Sequence, residues 1–290
     1  MMIRLSFGEK VFQTATVIFL CTLSVIALIP LISVLSVSFS SKLPVEMNLV
    51  TLWPRGFTLD SWKYIVGRPD LWRSFFITLT STAIGTALCL LITALTAYPL
   101  AKKEFKPGTI IMIAAVITMV FKAPLIPYFL TVKSIGLYNN PLVLVIPHVL
   151  TAYNLIIMRT FFLQFPKELE EAAVVEGAGY FRTLFSLVLP LSKAVLATLG
   201  LFYAVVIWNQ FQHPLLFLQN PDWFPLQIKI RQFITSNNEL PLVGNAALLN
   251  YNERTLRAVT IVFAVIPILA VYPYLQKYFV KGAMLGSVKG

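Results

Sequence analysis

The sequence predicts an all-α integral membrane protein with six transmembrane helices and both termini cytoplasmic. Hydrophobic residues make up 58% of the chain against 12% charged, and the mean hydropathy is +0.79. Long apolar runs also recur between short polar turns. About 20 apolar residues cross about 30 Å of hydrocarbon, and 290 residues hold six such runs with their loops. The net charge of +11 raises the question of nucleic acid. The Lys and Arg residues are scattered between apolar runs, however, with no continuous basic patch, and they read as topology signals; no nucleic-acid partner is expected.

The chain reads as a single transmembrane domain over residues 1–290. Its first span is placed at Val11 to Ser38, with Pro30 late in it. The N-terminal MMIRLSFGEK lacks a small-residue cleavage site, so this run reads as an uncleaved span. A polar segment follows, with Trp53, Trp62 and Trp72 near its ends as interfacial anchors and helical spacing over Thr58 to Val66. The second span, Leu71 to Leu100, is rich in Thr, Ser, Gly and Ala, which let helices approach closely in lipid. It ends in the basic turn Lys102-Lys103-Glu104-Phe105-Lys106.

The third span, Thr109 to Val132, carries Lys122, Pro124 and Pro127, and the fourth, Leu142 to Phe162, carries Pro147, His148, Tyr153 and Asn154. The fifth runs from Leu191 to Leu218 and holds Trp208-Asn209-Gln210-Phe211. An outer segment with the polar run Thr235 to Glu239 precedes the sixth span, Leu256 to Tyr278, and a tail with Lys281 and Lys289. Under six spans the basic residues divide almost evenly between the two sides. The rule of positive cytoplasmic loops applies to short loops, and there the basic turn and the loop before the fifth span outweigh the external turn around Lys133.

Cys21 and Cys89 fall inside apolar runs and behave as small hydrophobes. No disulfide framework, metal spacing, phosphate loop G-x-x-x-x-G-K-[ST], H-E-x-x-H or G-x-S-x-G is present, so no catalytic or metal residue is assigned. His148 and His213 read as packed or pore-lining side chains rather than metal ligands.

The loop Gln164 to Leu191 organises the rest. Pro166 suits the first position of a helix, and Glu168, Glu170 and Glu171 favour the positive end of its dipole. Ala172, Ala173 and Gly177 would let another backbone come close, Gly177 and Gly179 interrupt the helix, and Pro190 marks a bend after a second helical stretch. A helix–turn–helix with an exposed face of small and acidic residues is a docking surface.

Glu171-Ala172-Ala173, Gly177 and Leu189-Pro190 resemble the EAA loop of ABC-importer permeases; Glu176 stands where that family usually has Asp. Pro124 to Pro147, Arg159 to Glu171, Trp208 to Phe211 and the tail from Gln276 to Gly290 are similar to carbohydrate-uptake permeases of the maltose type. The resemblance implies the type I ABC-importer permease fold in a bacterial cytoplasmic membrane. It also implies a coupling helix in which Glu170, Glu171, Ala172, Ala173, Glu176, Gly177 and Pro190 meet a cytoplasmic ABC ATPase. The implied partners are a second, homologous permease forming a heterodimer, two ATPase copies and an extracellular or lipid-anchored solute-binding protein. The implied cargo is an oligosaccharide. ATP and Mg would be bound by the ATPase, and this chain, which is no enzyme, would carry no cofactor.

Polar groups inside spans face the bundle or a watery path. Tyr153, Asn154, Asn209 and Gln210 are the path candidates, with Trp208 offering an aromatic face to a sugar ring. Each also fits simple helix-to-helix bonding. Lys122 either snorkels to the interface or lines the path, where it favours an acidic sugar such as a uronate-containing oligosaccharide. The competing reading is an ion-coupled secondary transporter of small polar solutes, whose ion site is usually made of buried carboxylates; no Asp or Glu falls within the six runs.

Overall fold

The computed structural model describes residues 7–121, 123–235 and 250–287. Lys122, the polar run beyond Thr235 and Lys289 lie outside them. Among the described residues the chain is almost wholly helical, and β-structure is limited to one isolated bridge between Ser40 and Phe57. It forms two compact units, Met1–Leu71 with Ile230–Ile266, and Trp72–Lys229 with Pro267–Gly290.

In the first unit, α1 (Phe7–Ser38) runs unbroken through Pro30, and none of its most apolar window is buried within the chain. Its Thr14, Thr16, Thr22 and Ser24 hydroxyls donate to carbonyls one turn back at 2.8–2.9 Å. The helix therefore turns few polar groups to its apolar surroundings. Short helices α2 (Lys42–Glu46) and α3 (Asp60–Val66) follow. They are tied to residues 250–257: Ser61 bonds Thr255 at 2.9 Å, Asn250 donates to Asp60 at 3.0 Å, and Arg254 donates to Asn48 at 2.6 Å. The bonds from Asn250 and Thr58 hold the Asp60 carboxyl below its ordinary value. That contribution is present above about pH 4 and is lost as the pH falls through the lowered value.

The second unit contains most of α4 (Pro69–Leu100), α5 (Gly108–Val120) and α6 (Leu125–Ser134). Next come the 3-10 turns Pro141–Leu144 and Ile146–His148, α7 (Ala152–Leu163) and α8 (Lys167–Val175). Then α9 (Tyr180–Leu191), α10 (Lys193–Trp208) and α11 (Gln212–Phe217) follow. Helix α12 (Leu226–Thr235) and α13 (Glu253–Ser287) each contribute to both units.

Among the described residues, three helices are long and apolar enough to cross a membrane alone: α1, α4 and Glu253–Val271 within α13. Three of the runs read as continuous spans are broken. The third stops at Val120, and Phe121 is extended at φ −99°, ψ 101°. Pro124 supplies no N–H and disfavours helix in Ala123, so α6 starts afresh at Leu125. The fourth is bent by 47° between Pro141–His148 and Ala152–Leu163. The fifth is interrupted between Trp208 and Gln212. The sixth is longer than expected, since α13 passes Pro267 and Pro273 and ends at Ser287.

Two of the apolar clusters of the second unit concern the site. One joins Ala97, Tyr98, Met158, Phe162, Leu184, Val188 and Leu199, from α4, α7, α9 and α10. The other joins Val132, Leu137, Val143, Leu144, Val145 and Phe217, which are the pieces beyond the breaks. Phe129 stacks on Phe217 at 5.3 Å. Asn139 holds the edge of that layer. It takes a left-handed φ of 49°, donates its N–H to the Phe217 carbonyl at 2.7 Å, and its Oδ1 accepts from Gln219 and Asn220 at 3.0 and 3.1 Å.

Candidate coupling element and translocation path

Helix α8 begins at Lys167 directly after Pro166, which sits just outside the first turn rather than within it. None of its residues is buried. Its end is defined by hydrogen bonds: the Gly177 N–H donates to the Val174 carbonyl and the Ala178 N–H to the Ala173 carbonyl, both at 2.9 Å. With Gly177 at φ +78° this is a Schellman closure, and Gly177 is the left-handed residue it needs. Glu176 caps the helix C-terminus and is exposed. Gly179 lies extended before α9. Within α9, Leu184–Val188 forms a π-helical turn. Pro190 is in the last turn, and the chain bends by 85° at the break that follows.

Glu171 and Ala172 are exposed and Ala173 is half-buried. Glu170 is the exception among the acidic residues, because it pairs with Lys102 at the end of the basic turn. Lys102 also lies 4.4 Å over the Tyr98 ring. Arg159 donates to the Leu100 carbonyl at 2.8 Å, capping the end of α4 beside that turn. The exposed face is also more apolar than small and acidic residues suggest, since Val174, Val175, Tyr180 and Phe181 are 62–88% exposed. A cavity of about 400 Å³ lies between Tyr98, Pro99 and Phe105 on one side and Tyr180, Phe181 and Leu184 on the other.

Because each partner of the Lys102–Glu170 pair retains 21% exposure, its strength is that of a partly screened ion pair. A double-mutant cycle of Lys102→Met and Glu170→Gln, read by heat unfolding in detergent, is expected to give a coupling of about 1 kcal/mol.

Helix α10 runs from the 85° bend to Trp208 over 16 residues, or about 24 Å. One rigid element thus joins the polar loop to the path candidates. Tyr203 in its middle hydrogen-bonds Thr93 at 2.7 Å. At its end Trp208 is buried at 7% exposure, edge-on to Phe75. Gln210 is buried at 6% and donates to the Leu144 carbonyl at 2.9 Å. Asn209 is exposed and donates to the Val205 carbonyl at 3.0 Å. Asn154 is buried in the first turn of α7, whose N-cap is Thr151. Tyr153, 54% exposed, faces the Phe202 ring at 6.2 Å. The candidates therefore divide into buried Asn154, Trp208 and Gln210, and exposed Tyr153 and Asn209.

Two side chains that the sequence left as packed or pore-lining, and Tyr128, which it did not single out, lie near Gln210. His148 and His213 meet edge to face at 4.8 Å, and the Tyr128 hydroxyl lies 2.8 Å from His213 Nε2. The two His are 65 positions apart in sequence, and only the broken helices bring them together. Intra-run Pro and polar residues were the available signal. Irregular backbone at membrane depth is tolerated where it is buried in protein or lines a cavity.

Long apolar helices, broken segments gathered round buried polar side chains, and an exposed amphipathic helix on a polar loop define a polytopic membrane permease. The sequence matches, over residues 2–284, the family described as binding-protein-dependent transport system inner membrane component, and the chain belongs to it. It is 38% identical to Protein LplC of Bacillus subtilis over 97% of this chain and 96% of that one. It is 36% identical to the polygalacturonan/rhamnogalacturonan transport system permease protein YtcP of the same organism, over 94% and 96%. Among solved structures it is similar to a chain of a bacterial ABC transporter involved in the import of the acidic polysaccharide alginate. There the TM-score is 0.90 at 29% identity, covering 96% of this chain and 100% of that one.

Proposed function

We propose that the chain is the permease subunit of an ATP-driven ABC importer for oligosaccharides, with acidic, uronate-containing sugars as the substrate class. The observation that carries this reading is the exposed helix α8 closed by left-handed Gly177 and joined through α9 and α10 to the buried Gln210. Two relatives point to the substrate class, since their names specify polygalacturonan/rhamnogalacturonan and alginate.

In this reading the chain crosses a bacterial cytoplasmic membrane six times, the broken third, fourth and fifth runs each counting once, with both termini cytoplasmic. It pairs with a second, homologous permease. Two ATPase subunits bind ATP and Mg and dock against Glu171, Ala172, Ala173, Glu176 and Gly177. Glu170 orients the helix through Lys102, and Pro190 sets the bend. A solute-binding protein delivers the sugar on the outer face. ATP-driven closure of the ATPase pair moves α8, and α10 carries that motion to the path lined by Asn154, Trp208 and Gln210, with Lys122, Tyr153 and Asn209 as its further candidates. This is a two-state coupling between two sites through one rigid element.

The test is uptake into proteoliposomes containing the purified complex and its binding protein, with radiolabelled trigalacturonate. ATP-dependent accumulation is the expected result. Absence of any ATPase subunit from a complex isolated in mild detergent would overturn the reading.

A further inference from the structure

The cavity beside the Lys102–Glu170 pair has a volume of about 400 Å³, within the range of about 300–1,000 Å³ that small-molecule sites occupy. Leu95, Pro99, Phe105, Tyr180, Phe181 and Leu184 supply most of its lining, and Lys102 and Glu104 are its charged members. Tyr180 and Phe181 are largely exposed, so this chain leaves that wall uncovered. The cavity lies at the end of α4, a helix long and apolar enough to cross a membrane, and therefore at the depth where hydrocarbon gives way to water. Basic groups crowd the same end. Lys103 and Lys106 follow Lys102, exposed, in one turn, Arg182 is exposed next to Phe181, and Arg159 donates to the Leu100 carbonyl. Glu104 and Glu170 offset two of these five. A Lys ammonium carries three donors, and the bond to Glu170 uses one. Lys102 thus keeps donors for a second anion.

We propose that this cavity holds one acyl chain of an anionic phospholipid, with the lipid phosphate set against Lys102 and its basic turn. A soluble anion would suit the lysines and leave the apolar walls wet. A lipid without net charge would cover the walls and gain little from the lysines. Only an amphiphile with an anionic head uses both halves of the lining, and basic pockets at the ends of membrane helices bind such headgroups. Seated there, the chain packs the end of α4 against the start of α9, next to the ion pair that ties α8 to the basic turn. The lipid is then a packing member of the coupling element. The inference needs only that α4 crosses the membrane and ends at this turn, and the cargo does not enter it. A side chain of a docked ATPase subunit is the competing occupant, and the experiment separates the two.

The experiment is photolabelling of the intact purified complex in phosphatidylcholine vesicles. These carry a trace of lipid with a diazirine in its acyl chain, either phosphatidylglycerol or phosphatidylcholine, and labelled peptides are identified by mass spectrometry. Label on α1, whose most apolar window is unburied within the chain, is the reference for bulk lipid. The ratio of label on Leu95–Phe105 and Tyr180–Leu184 to label on α1 is expected to be at least about tenfold higher for phosphatidylglycerol. Lys103→Gln and Arg182→Gln, both at exposed positions, are each expected to lower that ratio about fivefold and to leave the phosphatidylcholine ratio unchanged. Leu95→Trp fills the cavity and is expected to remove label from both segments while α1 keeps it. Equal ratios for the two lipids mean a groove blind to the headgroup, and no label in either segment means that protein fills the cavity; either result overturns the proposal. So does a phosphatidylglycerol ratio that neither charge variant lowers, or a folded Leu95→Trp complex that still labels both segments. If Leu95→Trp does not fold, the two charge variants decide. ATP-driven uptake is read separately in proteoliposomes, and its failure bears on the importer reading alone.

Discussion

Gly177→Asp is expected to insert into the membrane at close to the wild-type level and to lose more than about 90% of ATP-driven uptake, a transition-state cost above roughly 1.4 kcal/mol. The structure makes the two effects separable. Gly177 has φ +78°, and a Cβ built there meets nothing within 4 Å. Within this chain the substitution therefore costs only its left-handed conformation, about 1 kcal/mol, which Asp tolerates better than most residues. Any larger loss must come from a body that approaches this backbone from outside the chain. Gly136 supplies the matched control, with φ +79° and the same open surroundings, in the turn between the third and fourth runs. Gly136→Asp bears the same conformational cost at a site assigned to the opposite side of the membrane. If both variants lost uptake equally, left-handed strain would account for the result and the docking role of α8 would fall. Retention at Gly136 with loss at Gly177 is the expected pattern.

The pair also indicates what was legible in advance. Gly177 could be read because helix termination by glycine is local chemistry: the acidic first turn, the small residues and the glycine lie within ten positions of one another. The bend after Pro190 was legible for the same reason, although the structure places the break at Ser192 rather than at the proline. The breaks in the third, fourth and fifth runs were not. Hydropathy sums over a window and is blind to a few residues of non-helical backbone, so Pro124, Pro147 and Trp208-Asn209-Gln210 read as decorations on continuous spans. What decides their geometry is tertiary: Asn139 tying Gln219 and Asn220, and Phe129 stacked on Phe217. Gln210 was picked out as a polar group inside a run, which is a correct cost argument. That its amide would be anchored to the Leu144 carbonyl, with His148 beside it, depends on contacts between residues more than 60 positions apart.

The small residues of the second run were read collectively as packing, and the structure singles out one of them. A Cβ on Gly85 would lie 2.8 Å from Ile207 Cδ1 and 3.2 Å from Val145 Cγ2. Ile207 immediately precedes Trp208 on α10, and Val145 follows the Leu144 whose carbonyl holds Gln210. Gly85 thus sets how closely α4 approaches the buried polar group. Gly85→Ala asks for a shift of a few tenths of an ångström, most of it from a flexible methyl, and is expected to cost under about 1 kcal/mol. Gly85→Leu cannot be placed that way. It is expected to overpack the site by about 1–3 kcal/mol and to separate α4 from α10 and the Val145 segment. Heat unfolding in detergent should then show a lowered midpoint, with any folded fraction losing sugar affinity as Gln210 leaves Leu144. Gly200→Ala on α10 is the counterpart, since its Cβ would meet Leu90 at an ordinary 3.4 Å. There the gain in helix propensity, up to about 1 kcal/mol, is unopposed, and stability should hold or rise. A Gly85→Leu variant as stable as Gly200→Ala would mean that α4 can withdraw freely, and that the close approach at Gly85 does not hold the polar group in place.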